Sequence, residues 1–211
     1  MLARVSVDPR RQRTTDALVR AAEELFATRP VAEVTVEEIA ARAGVAVGSI
    51  YNTFGSKAGL YAAAVDQALD VDREYMDLAY TTDRAPIEQL RAAAEQYLRF
   101  YLDHPEFFRM LAFPTEAGSY PAAAETADRL ARRVDEQNAR MIDALERGMA
   151  DGTIRALDAH RTATVLWASW NGIISLAWRS DALRRDPREL KGLLALAADL
   201  VEWGLHGSPH S

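Results

Sequence analysis

Gly48, Ser49 and Asn52 are small or polar residues grouped within a few positions, and Lys57 follows them. Hydroxyl and amide side chains of this kind can hydrogen-bond to base edges or phosphates, and a glycine lets the backbone come close to a partner. Lys57 stands just after Ser56, at the start of a helix, where unpaired amides and the helix dipole already favour a phosphate. The chemistry on offer is recognition of a nucleic acid. Bond-making chemistry has no comparable footing. A nucleophile elbow, a phosphate-cradling glycine loop and a zinc-binding histidine helix are all missing, and the chain has no cysteine. His206 and His210 are separated by Gly207, Ser208 and Pro209, which forbid the helix that would align them, and His104 and His160 stand apart. No catalytic residue, metal or cofactor is expected.

Such a polar face needs a scaffold, and the preceding residues supply one. Leu18, Ala21, Ala22, Leu25 and Phe26 form one apolar stripe of a helix over about 15–28. Val36, Ile39, Ala40 and Ala43 repeat that spacing in a shorter helix, with Thr35 and Glu38 as its capping box. Gly44 falls where a left-handed residue would end it. A third helix over 47–53 then directs Ile50 inward, with Phe54 just beyond its end, and leaves Gly48, Ser49 and Asn52 on the other side, next to Thr53. Ala40, Val45, Ile50 and Phe54 would form the shared core. Ser56 caps a fourth helix that reaches about residue 80. This is the layout of a helix-turn-helix, whose second helix enters the major groove. A plain turn between two bundle helices would share the scaffold but would not need the small polar face. Val47 falls in the stripe of Ile50, Tyr51 and Phe54, so helical spacing alone would put it at the edge of the core.

The remaining pattern is helical as well. Helices are expected near 86–103, 105–113, 121–150, 159–180 and 187–206, broken by His104-Pro105, by Pro114 to Pro121, by Asp151-Gly152 and by Asp186-Pro187. The expected fold is all-α: a three-helix DNA-binding domain over 1–60, with a basic N-terminal arm, then a helical bundle over 61–211. Charge follows the same division. Residues 1–60 hold eight basic groups against seven acidic ones, a net of +1, so the rest carries −7 of the overall −6. A local positive footprint is what phosphate binding requires. No apolar run approaches a membrane span and no signal peptide is visible, so a cytoplasmic location without membrane contact is expected. Asp66, Asp70, Asp72 and Glu74 are read as a solvated acidic face of the fourth helix.

Residues 13–65 resemble the N-terminal domain of the tetracycline-repressor (TetR) family. The resemblance is carried by Ala21-Ala22 with Leu25-Phe26, by Thr35 to Ala40, by Ala43-Gly44-Val45 and by Gly48 to Lys57. It implies that Val47, Gly48, Ser49 and Asn52 face base edges, that Thr35 touches a phosphate as well as capping its helix, and that Tyr51 and Lys57 hold the backbone on either side. For Val47 this stands against its reading as core. The chain departs from the family pattern at Pro30, Ala46, Asn52 and Thr53; at Ala46 the usual hydroxyl is missing. Partners implied are a double-stranded DNA operator, a second copy of the chain and a hydrophobic small-molecule effector.

Two groups in the C-terminal part fit the last two partners. Trp167, Trp170, Asn171 and Ile174 recur at three- and four-residue spacing on one helix, and Tyr101, Phe107, Met110 and Phe113 lie in a second cluster. They would fill a core, or wall a pocket for an apolar molecule, with Asn171 and Tyr101 as its polar points. Small residues including Gly172 line 159–180, while Leu194, Ala197, Leu200 and Val201 belong to a broad apolar face on 187–206. Such a face must be buried on something; a homodimer through a four-helix bundle would also give the DNA-binding head its two-fold mate. The expected function is a ligand-responsive transcriptional regulator, a repressor on a palindromic operator that a hydrophobic small molecule releases. The alternative is a small-molecule-binding helical protein with a weak or vestigial DNA head.

Overall fold

The computed structural model of the chain describes residues 9–29, 31–107 and 121–205. Among these there is no β-strand. Eight α-helices are present: α1 (Pro9–Phe26), α2 (Val36–Ala43), α3 (Gly48–Phe54), α4 (Lys57–Asp77), α5 (Pro86–Asp103), α6 (Pro121–Ala150), α7 (Ala159–Ser175) and α8 (Pro187–Leu205). Single 3₁₀ turns lie at Val31–Glu33 and Leu176–Trp178. The chain divides into two compact units, one of Met1–Leu69 with Pro105–Leu130, the other of Asp70–His104 with Ala131–Ser211.

In the first unit, α1 starts earlier than its apolar stripe indicates. Pro9 opens it, where the missing N–H costs nothing, and the first turns bury too little for the stripe to register. Leu18, Val19, Ala22 and Phe26 of α1 meet Val34, Ile39, Ala40 and Ile50 in a core whose members are at most 5% exposed. Phe26 and Tyr61 close it edge-to-face, with ring centroids 5.4 Å apart. The α2 cap forms as the sequence demands. Thr35 Oγ1 accepts from the Glu38 amide at 3.2 Å, and the Thr35 amide donates to the Glu38 carboxylate at 2.8 Å. Gly44 ends α2 at φ 69°, its amide returning to Ala40 and Ala41 carbonyls. Gly59 has a different duty. A Cβ there would stand 2.2 Å from the Phe54 carbonyl oxygen, so only glycine lets the start of α4 pass so close to the end of α3.

The second unit contains α5, α7 and α8, the later part of α4 and most of α6. Pro86 opens α5, and Glu88 accepts from the Ala85 amide at 3.1 Å. Leu90, Ala93, Tyr97, Phe100 and Tyr101 of α5 are buried, together with Met141, Leu145, Ile154, Leu166, Trp170, Ile174, Leu190 and Leu194. Asp158 caps α7 and Asp186 caps α8, each through its carboxylate to the amide three residues on. The helix expected to run to 180 stops at Ser175 and tightens into the 3₁₀ turn; the helix expected over 105–113 lies largely outside the described residues.

Candidate functional site

On α3, Gly48, Tyr51 and Asn52 are exposed, Tyr51 by 52%, while Ile50 is fully buried. Ser49 and Val47 are half-buried. Val47 is therefore neither wholly in the core nor wholly on the face. It stands at the N-cap of α3 and makes no side-chain capping bond, and the preceding Ala46 has no hydroxyl to offer one. Thr35 is exposed at the start of α2, and Arg10, Arg11 and Arg13 are exposed on the first turns of α1. Arg29 pairs with Glu38 at 2.9 Å, and Arg42 Nε donates to Glu24 at 2.7 Å.

Lys57 has a role that sequence reasoning missed. Its ammonium donates to the Val31 and Val34 carbonyl oxygens, each at 2.8 Å, and burial lowers its pKa below the ordinary lysine value. The side chain thus ties the 3₁₀ turn before α2 to the start of α4. Nothing in the local spacing announces a contact across more than twenty residues.

The second unit gathers a polar group inside its aromatic core. The Tyr97 hydroxyl donates to Asn171 Oδ1 at 3.0 Å, and Asn171 Nδ2 donates to the Trp167 carbonyl at 2.8 Å. The Tyr97 and Trp170 rings lie 6.1 Å apart, and Tyr101 meets Trp178 edge-on at 4.9 Å. Trp170, Ile174 and Tyr101 are buried; Trp167 and Asn171 are half-buried. Of the other expected pocket residues, Phe107 is buried in the first unit, and Met110 and Phe113 lie outside the described residues.

Asp72 corrects the expectation of a solvated acidic face. It is only 7% exposed, and desolvation pushes its carboxyl up to about 7. Gln137 Nε2 donates to one oxygen, and Oδ1 has no partner. Asp70 and Glu74, its neighbours on α4, are exposed as expected. Helical period alone could have flagged Asp72: it lies four residues from both Ala68 and Met76, which are buried.

An apolar face remains uncovered on α7 and α8. Val165, Leu196, Leu200 and Trp203 are exposed by 63, 55, 65 and 84%, with Gly172 also exposed and Ala197 and Val201 half-buried. Leu194 does not belong with them: at 3% exposure it is held in its own subunit's core. Trp203, at i+3 from Leu200 and i+7 from Leu196, and Val165 on α7 are the residues of this face that the sequence reading left out.

Residues 18–64 match the family model described as bacterial regulatory proteins, tetR family, and residues 90–201 match the tetracyclin repressor-like C-terminal domain. The chain belongs to the TetR family. It is accordingly an all-helical, helix-turn-helix transcription regulator and not an enzyme. RutR of Escherichia coli, an HTH-type transcriptional regulator, is 27% identical over 157 residues, which cover 72% of this chain and 70% of RutR. FasR of Mycolicibacterium smegmatis, an HTH-type transcriptional activator, is 34% identical over 105 residues, 49% of this chain. That match spans 47% of FasR, about half its length. The crystal structure of AibR in complex with isovaleryl coenzyme A and operator DNA has the same fold, with a TM-score of 0.71 at 18% identity, covering 92% of this chain and 98% of AibR. No described helix is long and apolar enough to cross a membrane.

Proposed function

We propose that this TetR-family protein is a ligand-responsive repressor that binds a palindromic operator as a homodimer. Gly48, Ser49, Asn52 and Val47 read base edges in the major groove, while Thr35, Tyr51 and Lys57 hold the phosphates on either side. The observation that carries this reading is the exposed face of α3, where a 52%-exposed Tyr51 stands beside Asn52 and Gly48 on a helix that turns the fully buried Ile50 the other way. Lys57 acts from a position fixed by the Val31 and Val34 carbonyls, so it also sets the turn that presents Thr35. The exposed strip of Val165, Gly172, Leu196, Leu200 and Trp203, with Ala197 and Val201 beside it, joins two subunits in a four-helix bundle and gives the heads their two-fold spacing.

The effector is a small molecule bound in the second unit among Tyr101, Trp167, Trp170, Asn171 and Ile174. AibR, held with both an acyl-CoA and operator DNA, supports this for the fold. Binding shifts the population toward a conformation whose two heads no longer fit the operator, with a coupling of about 1–3 kcal/mol. Mobility shift on DNA upstream of the protein's own gene tests the reading. A discrete complex at nanomolar protein, weakened by Tyr51→Ala, is expected; weak binding that ignores DNA sequence and Tyr51→Ala would instead leave a ligand-binding protein with a vestigial head.

A further inference from the structure

Within the second unit lies an open cleft of about 570 Å³, lined by Tyr80, Thr82, Gln89, Arg140, Asp143 and Arg147. It shares no residue with the aromatic group around Trp170. Arg140 and Arg147 are seven residues apart on α6, so they stand on one face, two turns and about 10 Å of helix from each other. Neutral groups orient both guanidiniums. That of Arg140 lies over the Tyr80 ring, 5.1 Å from its centroid. Arg147 Nη2 donates to Gln89 Oε1 at 2.6 Å. Gln89 is only 2% exposed, and its Nε2 donates to the Thr81 carbonyl at 2.7 Å, which fixes the amide that holds Arg147.

Each arginine also meets one carboxylate. Arg140 Nη1 donates to Asp77 at 2.7 Å and Arg147 Nε to Asp143 at 2.8 Å. Both acids are exposed, so these pairs contribute little. They also leave donors over. Among the described residues, no acceptor meets Arg140 Nε and Nη2 or Arg147 Nη1. Guanidinium N–H groups of this kind are suited to carboxylate oxygens. Asp143 stands between the two arginines, at i+3 from one and i−4 from the other, where it repels any ligand charged at its middle.

We propose that this cleft binds a linear dicarboxylate, with one end on Arg140, the other on Arg147 and an uncharged chain passing Asp143. The ends take the unused donors, so neither existing ion pair has to break. Calorimetry on the full-length protein at pH 8 and low ionic strength tests the site, with suberate and its monoamide as probes of equal length and different charge. Suberate should bind at least about tenfold more tightly. Arg140→Gln and Arg147→Gln should each bring it down to the affinity of the monoamide. Arg133→Gln, which breaks a comparable α6 ion pair with Asp70 outside the cleft, should keep the preference. Circular dichroism should show the same helix content in all three variants. Equal affinity for the two probes, a preference that survives Arg140→Gln or Arg147→Gln, or no binding of suberate at millimolar concentration overturns the proposal. A preference that Arg133→Gln removes as well also overturns it, because the effect would then follow the charge of α6 and not the cleft.

Discussion

The outward side of α3 presents Gly48, Tyr51 and Asn52, whereas the outward sides of α7 and α8 present Val165, Leu196, Leu200 and Trp203. Both are exposed in a single chain, yet they differ in what would satisfy them. Hydroxyls, amides and a phenol can exchange water for base edges and phosphates at little cost. Leucines and a tryptophan gain only by leaving water, so they suit another apolar surface. Side-chain type thus distinguishes a face suited to polar partners from one suited to apolar partners when burial alone does not.

The apolar face should give the most visible change, one of assembly. Trp203→Glu places a charge at a residue that is 84% exposed in the subunit, so the fold should hold while the dimer separates; buried tryptophan anchors are worth about 2 kcal/mol or more. Light scattering should report a monomer with unchanged helix content. Leu194→Glu should instead unfold the protein, because Leu194 is in the core. A Trp203→Glu protein that stays dimeric moves the interface elsewhere.

Asp72→Asn bears on the interior of the second unit. The folded carboxyl holds its proton up to about pH 7, against a usual value of 3.8. As pH rises from 4 to 7, the unfolded chain ionises first, so the Asp72 contribution to wild-type stability falls across that window and is flat above it. Asparagine removes the penalty and keeps an oxygen for Gln137. The variant should therefore be more stable than wild type at pH 8, by up to about 4 kcal/mol, and nearly equal at pH 4. Urea midpoints at the two pH values give the difference, and a gain that does not grow with pH contradicts a buried, proton-holding Asp72.

Smaller changes belong to the head. Gly59→Ala must displace the Phe54 carbonyl, costing about 1–3 kcal/mol and loosening α3 against α4. Thr35→Ala removes one bond of the capping box and should cost about 1 kcal/mol. Thermal denaturation measures both; if Gly59→Ala leaves the melting temperature unchanged, the approach of α4 to α3 is not tight in solution.

The head was legible because its determinants are local. Thr35 with Glu38, Gly44 and the Ile39–Ala40 pair act over three to five residues, and the structure realises each of them. Lys57 was read as a phosphate contact, yet its carbonyl partners are more than twenty residues away, beyond any spacing rule. Asp72 was misjudged because a run of acids suggests solvent, although its four-residue spacing from the buried Ala68 and Met76 puts it on the inward stripe of α4; only its Gln137 partner lay beyond local reading. The apolar face was half read: composition gives α8 a broad apolar face, but which part of it turns inward depends on the helices it packs against. Leu194 therefore moved to the core and Trp203 to the surface.

The central claim, that α3 reads base sequence, is tested most directly by the ratio of specific to non-specific DNA affinity for wild type and for Asn52→Ala at fixed salt. Fluorescence anisotropy with the operator and a scrambled duplex should show the ratio falling by about 1–3 kcal/mol in the variant, with binding to the scrambled duplex unchanged. An unchanged ratio, or a wild-type protein that binds both duplexes equally, would contradict it.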